Sequence, residues 1–251
     1  MKRTFLFLFV SFLFILTSSC TGSKQTSADN SAAANTANVN KSAPTPQSSA
    51  PKIFAEVPEN ADVDAKYIFY LHGKIVEEQG ENAVSPEFGA YEYRKILDAL
   101  AARGFVVISE VRPKDTDAVE YAAKVEKQIR LLLKLGAKQE NITIVGGSKG
   151  GVIAHRISFD LKYKNLNFVL LAACGKGYLA QEKPDLYGRV LSIYDYKDNK
   201  GAESCAEFFK ASKNITESKE IELKLGSGHG IIFHPLPEWL EPTIEWVNKK
   251  R

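Results

Sequence analysis

Residues 144–156 read IVGGSKGGVIAHR, with a serine where an apolar run gives way to a helix-like pattern. Gly146-x-Ser148-x-Gly150 is a spacing that suits a reactive hydroxyl at such a junction. A chain that turns from strand directly into helix forces its central residue into a strained backbone conformation. Side chains two residues away on either side would collide, so glycine occupies those places. The Ser148 hydroxyl is then lifted above the sheet, near the positive end of the following helix, which favours a developing negative charge. A phosphate-binding loop fits poorly: it needs four residues between its first glycine and a Gly-Lys-Ser/Thr run, and here the serine precedes Lys149. A dinucleotide-binding turn would follow the first strand, with an acid about 20 residues on, and this turn comes late in the chain.

A serine needs a base to act as a nucleophile at neutral pH, and the base needs an orienting acid. The chain has four histidines. His72, in LHGK, precedes the serine. His155 lies one or two turns into the helix after it, where the ring packs on the sheet or faces solvent. His234, in FHPLP, reads as structural. His229 sits in GSGHG after the last strand, between glycines that let a loop bend back over the sheet, and is the candidate base. The stretch LSIYDYKDNKG offers the acid. Asp195 falls within the strand end and Asp198 in the loop beyond it; Asp198 is preferred, with Asp195 as the alternative.

These residues need a scaffold. Apolar runs at 67–73, 105–111, 141–147, 167–174 and 189–198 read as buried strands, and KEIELKL (219–225) as a more polar strand near an edge. Between them, helical spacing appears around Tyr93, Ile96, Leu97 and Leu100. It recurs over 117–136, with Val119, Ala122, Val125, Ile129, Leu132 and Leu133 on one face, and again over 151–163, 204–212 and 236–250. Nearly continuous apolar strands alternating with helices imply an α/β fold: a mostly parallel sheet covered on both faces. Working residues in such sheets sit at the carboxyl ends of the strands. Those ends are His72–Lys74, Glu110–Arg112, Gly147–Lys149, Cys174–Gly177, Asp195–Asp198 and Gly226–Gly230.

The order Ser148, Asp198, His229, with LHGK ahead of them, resembles the α/β-hydrolase superfamily of the serine esterase type. LHGK matches its His-Gly oxyanion loop, GGSKGG its nucleophile elbow, YDYKDN its acid loop and GSGHG its histidine loop, and the likeness spans nearly all of the chain from Tyr67 onward. It implies a hydrolase of a carboxylic ester or related acyl bond, with Ser148 as nucleophile, His229 as base and Asp198 as orienting acid. The backbone N–H groups of Lys74 and Lys149 would form the oxyanion hole, with His72 bracing that loop. No metal or organic cofactor is implied; the partner is a small acyl substrate. An acyltransferase or peptidase with the same triad, or a non-catalytic envelope protein of the same fold, are the alternatives. The first edge of the sheet is hard to find, and few residues lie between 174 and 189, so little or no lid is expected. Lys149 either attracts an anionic substrate or points outward. Arg112 either binds a substrate carboxylate or phosphate or pairs with Glu110 or Asp115.

The N-terminus carries a different message. Lys2 and Arg3 precede a short apolar run, Phe5–Leu16, and then LTSSC, which resembles a bacterial lipoprotein signal with Cys20 as the lipidated residue. Residues 1–20 are thus expected to be a signal peptide. Residues 21–52, rich in Ser, Ala, Asn, Thr and Pro, are expected to be a disordered tether, and 53–251 the catalytic domain. The implied location is exported, at the cell envelope, with membrane contact through the lipid on Cys20. The remaining cysteines, Cys174 and Cys205, are either a disulfide or two buried thiols, and metal-ligand spacing is absent. The 251-residue chain has a net charge of +3 with interspersed signs, which does not suggest nucleic-acid binding.

Overall fold

A computed structural model describes residues 52–175 and 185–249. The expected signal peptide, Cys20, nearly all of the tether, and most of the segment where a lid would sit fall outside the described residues. Seven strands form one sheet in the order β1-β5-β2-β6-β7-β8-β9, and every pairing is parallel. They are β1 (Ile53–Phe54), β2 (Tyr67–Leu71), β5 (Val106–Ile108), β6 (Ile142–Gly147), β7 (Asn167–Leu171), β8 (Tyr187–Asp195) and β9 (Asn214–Leu223). β3 (Val84–Ser85) and β4 (Gly89–Ala90) make a separate two-stranded hairpin. The first edge is short: β1 has only two residues. The polar strand at the far end is the edge strand β9, ten residues long.

The helices are α1 (Lys74–Gln79), α2 (Tyr93–Ala102), α3 (Ala118–Leu135), α4 (Lys149–Leu161), α5 (Ala206–Ala211) and α6 (Pro237–Asn248). They divide between the two faces of the sheet. Ile68 and Tyr70 of β2 point to a core shared with Ile96, Leu97 and Leu100 of α2 and with Trp239 and Trp246 of α6. Tyr67, Phe69 and Leu71 point the other way, to Val125 and Ile129 of α3 and Ile153 and Ile157 of α4. The alternation of the strand thus feeds two cores, which is why β2 is apolar throughout.

Local signals set the helix ends. The Asp117 carboxylate accepts from the backbone N–H groups of Val119 and Glu120, capping α3, and Gly136 at φ 111° stops it. The apolar stripe of α3 is rotated from the one expected: Tyr121 replaces Val119 on the buried side, and Val119 is 47% exposed. Tyr121 covers the Arg112 guanidinium, 5.4 Å from its ring centre, so a charged neighbour draws an aromatic face inward.

Candidate active site

Ser148 stands between β6 and α4 with φ 50° and ψ −119°. Its backbone N–H donates to the Leu171 carbonyl at 2.9 Å, and its own carbonyl accepts from Gly151 and Val152 as the helix starts. The flanking glycines answer steric limits. A Cβ on Gly146 would run into the Gly150 carbonyl, and one on Gly150 into the Leu71 carbonyl. Both obstacles are backbone, which cannot yield as a side chain would.

His229 lies in a short 3-10 turn, Gly228–Ile232, after β9. Its Nδ1 is 2.7 Å from Asp198 Oδ2, and the Asp198 side chain is 1% exposed. A carboxylate at that distance makes Nδ1 the protonated nitrogen and leaves the lone pair on Nε2. The other oxygen of Asp198 accepts from the N–H groups of Lys200 at 2.8 Å and Ala202 at 3.3 Å, which fixes the carboxylate. Asp195, the alternative acid, has another task. Its carboxylate accepts from the backbone N–H groups of Lys197, Leu225, Gly226 and Gly228. It pins the end of β8 to the histidine loop and is not the hydrogen-bonded partner of His229.

Ser148 and His229 line one cleft of about 260 Å³, together with Lys149, Val152, Lys200 and a run of small residues that includes Ala172, Ala173, Gly201 and Ala202. Cys174 is also on the wall. It is disulfide-bonded to Cys205, with a Cα–Cα distance of 5.2 Å. The bond joins the segment after β7 to the start of α5, and the Glu203 N–H donates to the Cys174 carbonyl at 2.5 Å. The loop that carries Asp198 is thereby stitched to the end of β7.

The loop His72–Lys74 faces the elbow. A Cβ on Gly73 would lie 3.8 Å from Ser148 Cβ. Its conformation rests on buried polar contacts. His72 Nε2 accepts from the Arg112 backbone N–H at 3.0 Å, so Nδ1 carries the proton and donates to the Gly73 carbonyl at 2.8 Å. Burial, then the Arg112 charge, pushes the His72 pKa down to about 3, so the ring is neutral.

Two expectations from sequence are corrected. Arg112 does not face a substrate. Its side chain is fully buried and pairs with Glu77 at 3.1 Å, rather than with Glu110 or Asp115, and its Nη2 donates to the His72 carbonyl at 2.5 Å. Lys149 does not point outward either. Its ammonium is held by Glu77 Oε1 and the Thr116 carbonyl, each at 2.6 Å. Sequence reasoning missed Glu77, because the six-residue helix α1 that carries it shows no apolar period. The other two histidines lie elsewhere. His155 is buried edge-on against Phe208 at 5.3 Å, and His234 is half-exposed, 3.2 Å from Glu92. Among the described residues no group of three His, Cys, Asp or Glu side chains is placed to hold a metal ion.

No family model and no curated protein matches the sequence. Solved structures match it in three dimensions. An esterase from Pyrobaculum calidifontis is 18% identical with a TM-score of 0.51, over 73% of this chain and 75% of its own. A structure of the metagenome-derived lipolytic enzymes LipS and LipT gives 13% identity and a TM-score of 0.51, over 73% of this chain and 94% of its own. Est1E from Butyrivibrio proteoclasticus, solved with ferulic acid bound, gives 12%, 0.50, 77% and 94% for the same quantities. At such identities the likeness concerns the fold. The chain has the α/β-hydrolase fold, with a seven-stranded parallel sheet at its centre.

Proposed function

We propose that the protein is a serine hydrolase that cleaves a carboxylic ester or related acyl bond of a small substrate. The observation that carries this reading is the meeting of two features on one cleft: a serine held in a strained strand-to-helix turn, and a histidine whose Nδ1 is fixed by a buried carboxylate at 2.7 Å. In the reaction, Ser148 Oγ attacks the carbonyl carbon as His229 Nε2 takes the hydroxyl proton. The carbonyl oxygen becomes an anion and is met by the backbone N–H groups of Lys149 and Lys74. His229 then hands its proton to the leaving alcohol as the ester bond breaks, leaving Ser148 acylated. A water molecule, deprotonated by the same nitrogen, attacks the acyl-serine; collapse releases the acid and restores the hydroxyl. Asp198 stabilises the imidazolium in both halves.

A fluorophosphonate probe tests the reading. The wild type is expected to label covalently and Ser148→Ala not to label. A folded wild type that neither labels nor hydrolyses short p-nitrophenyl esters would leave only a non-catalytic role for the fold. The N-terminal reading belongs to the same proposal: the enzyme is exported and held at the cell envelope by a lipid on Cys20. Full-length protein should fractionate with membranes and Cys20→Ser should not; co-fractionation of both would reject the anchor.

A further inference from the structure

The ion pairs beneath the His72–Lys74 loop link the two sides of the site. Glu77 lies on α1, which begins at Lys74, and its side chain is fully buried. Its two oxygens take different partners. Oε2 accepts from Arg112 Nε at 3.1 Å, and Oε1 from Lys149 Nζ at 2.6 Å. Lys149 is the residue after Ser148 and the first residue of α4. Arg112 contacts His72 twice, through Nη2 to its carbonyl and through its backbone N–H to Nε2. The contacts therefore run without a break from the start of α4, through one carboxylate, to the loop that leads into Lys74. A buried carboxylate between two cations is a poor choice for stability alone, since apolar residues of similar volume often serve as well. Apolar packing does not supply a directional link between two defined points.

We infer that Glu77 is a positioning residue for the proposed hydrolysis. It ties the Lys149 side chain to the Arg112–His72 loop and so fixes the separation of the two backbone N–H groups that receive the anionic oxygen. The inference rests on the serine-hydrolase reading. Glu77 touches neither substrate nor reacting atoms; it acts through the residues it holds. The full negative charge on oxygen exists only near the transition state, so a loosened pair of donors lowers kcat and leaves KM little changed.

Lys149→Met is the main test, because it leaves the Glu77–Arg112 pair whole while cutting the links from α4 to Glu77 and to the Thr116 carbonyl. Its kcat on a p-nitrophenyl ester should fall about tenfold with KM within about twofold, a cost in keeping with misplaced rather than absent donors. The second-order rate of fluorophosphonate labelling should fall by the same factor, since phosphonylation places an anionic oxygen between the same donors. Lys149→Arg, which can still reach the carboxylate, should recover part of the loss. Glu77→Gln should match Lys149→Met, and the double variant should be no slower than the slower single one; if Glu77→Gln does not fold, Lys149→Met carries the test alone. A folded Lys149→Met with wild-type kcat and labelling rate, or with a raised KM alone, overturns the inference and leaves the hydrolase reading intact. A wild type that neither labels nor turns over overturns both.

Discussion

Ser148, at φ 50° and ψ −119°, holds a backbone conformation that costs a residue with a side chain of order 1–3 kcal/mol. Glycine adopts it without that penalty. Ser148→Gly should therefore raise stability by about 1 kcal/mol in urea unfolding while abolishing turnover; a variant no more stable than wild type would mean that the turn is unstrained. The two aspartates separate in the same way. Asp198→Asn should melt near the wild-type temperature yet lose roughly 10³-fold or more in kcat, because the amide no longer fixes the imidazole tautomer. Asp195→Asn removes the charge that four backbone N–H groups share, so its signature is a loss of about 1–3 kcal/mol in stability. Calorimetry and ester kinetics on the pair distinguish these roles. The sequence favoured Asp198 over Asp195 but kept both, because both lie at a strand end and the choice depends on where a loop turns. It misplaced Arg112 and Lys149 for a related reason. Their partner Glu77 lies on a different element, and pairing across elements leaves no trace in spacing.

The longer helices with a clear apolar period, α2, α3, α4 and α6, and the continuous apolar strands were legible, each within a few residues of its expected span. Helix α1 and the β3–β4 hairpin were not: α1 shows no apolar period, and two residues per strand are too few to show one. The elbow is the element where sequence and structure agree most closely, because its glycines answer a steric demand that the pattern alone reveals. Gly150→Ala would drive a methyl group into the Leu71 carbonyl, so β2 and α4 would have to separate. The expected loss is about 3 kcal/mol or more. An Ala variant with wild-type thermal stability would show that the two elements can slide apart at little cost.

At the scale of the whole molecule, acid should be the weak point. His72 and His155 are buried and neutral, with pKa values pushed down, chiefly by burial, to about 3 and about 4. The unfolded chain protonates them near their ordinary value of about 6.5, so between 6.5 and those lower values it binds more protons than the native state does. Stability contributed by the neutral rings is complete above that window and falls as the pH drops through it, by up to about 1.4 kcal/mol per pH unit for each ring. Urea midpoints at pH 7 and pH 5 should differ less in His155→Leu than in the wild type; equal differences would clear that ring of any part in acid lability. The disulfide supplies a second global lever. Cys174 and Cys205 are 31 residues apart, so the bond confines the unfolded chain and should contribute about 3–4 kcal/mol. Denaturation with and without a reductant measures it.

The open borders of the sheet bear on how copies of this chain behave when crowded together. A long outer strand offers unpaired main-chain groups on which a neighbour could add a strand of its own and start a fibre. Four of the ten residues of β9 are charged, and Lys219 and Glu222 stand in solvent, where a docking strand would have to bury them. The opposite border ends in a two-residue stub that gives too little template to grip. Both borders of the described sheet thus carry features that disfavour border-to-border pairing of copies.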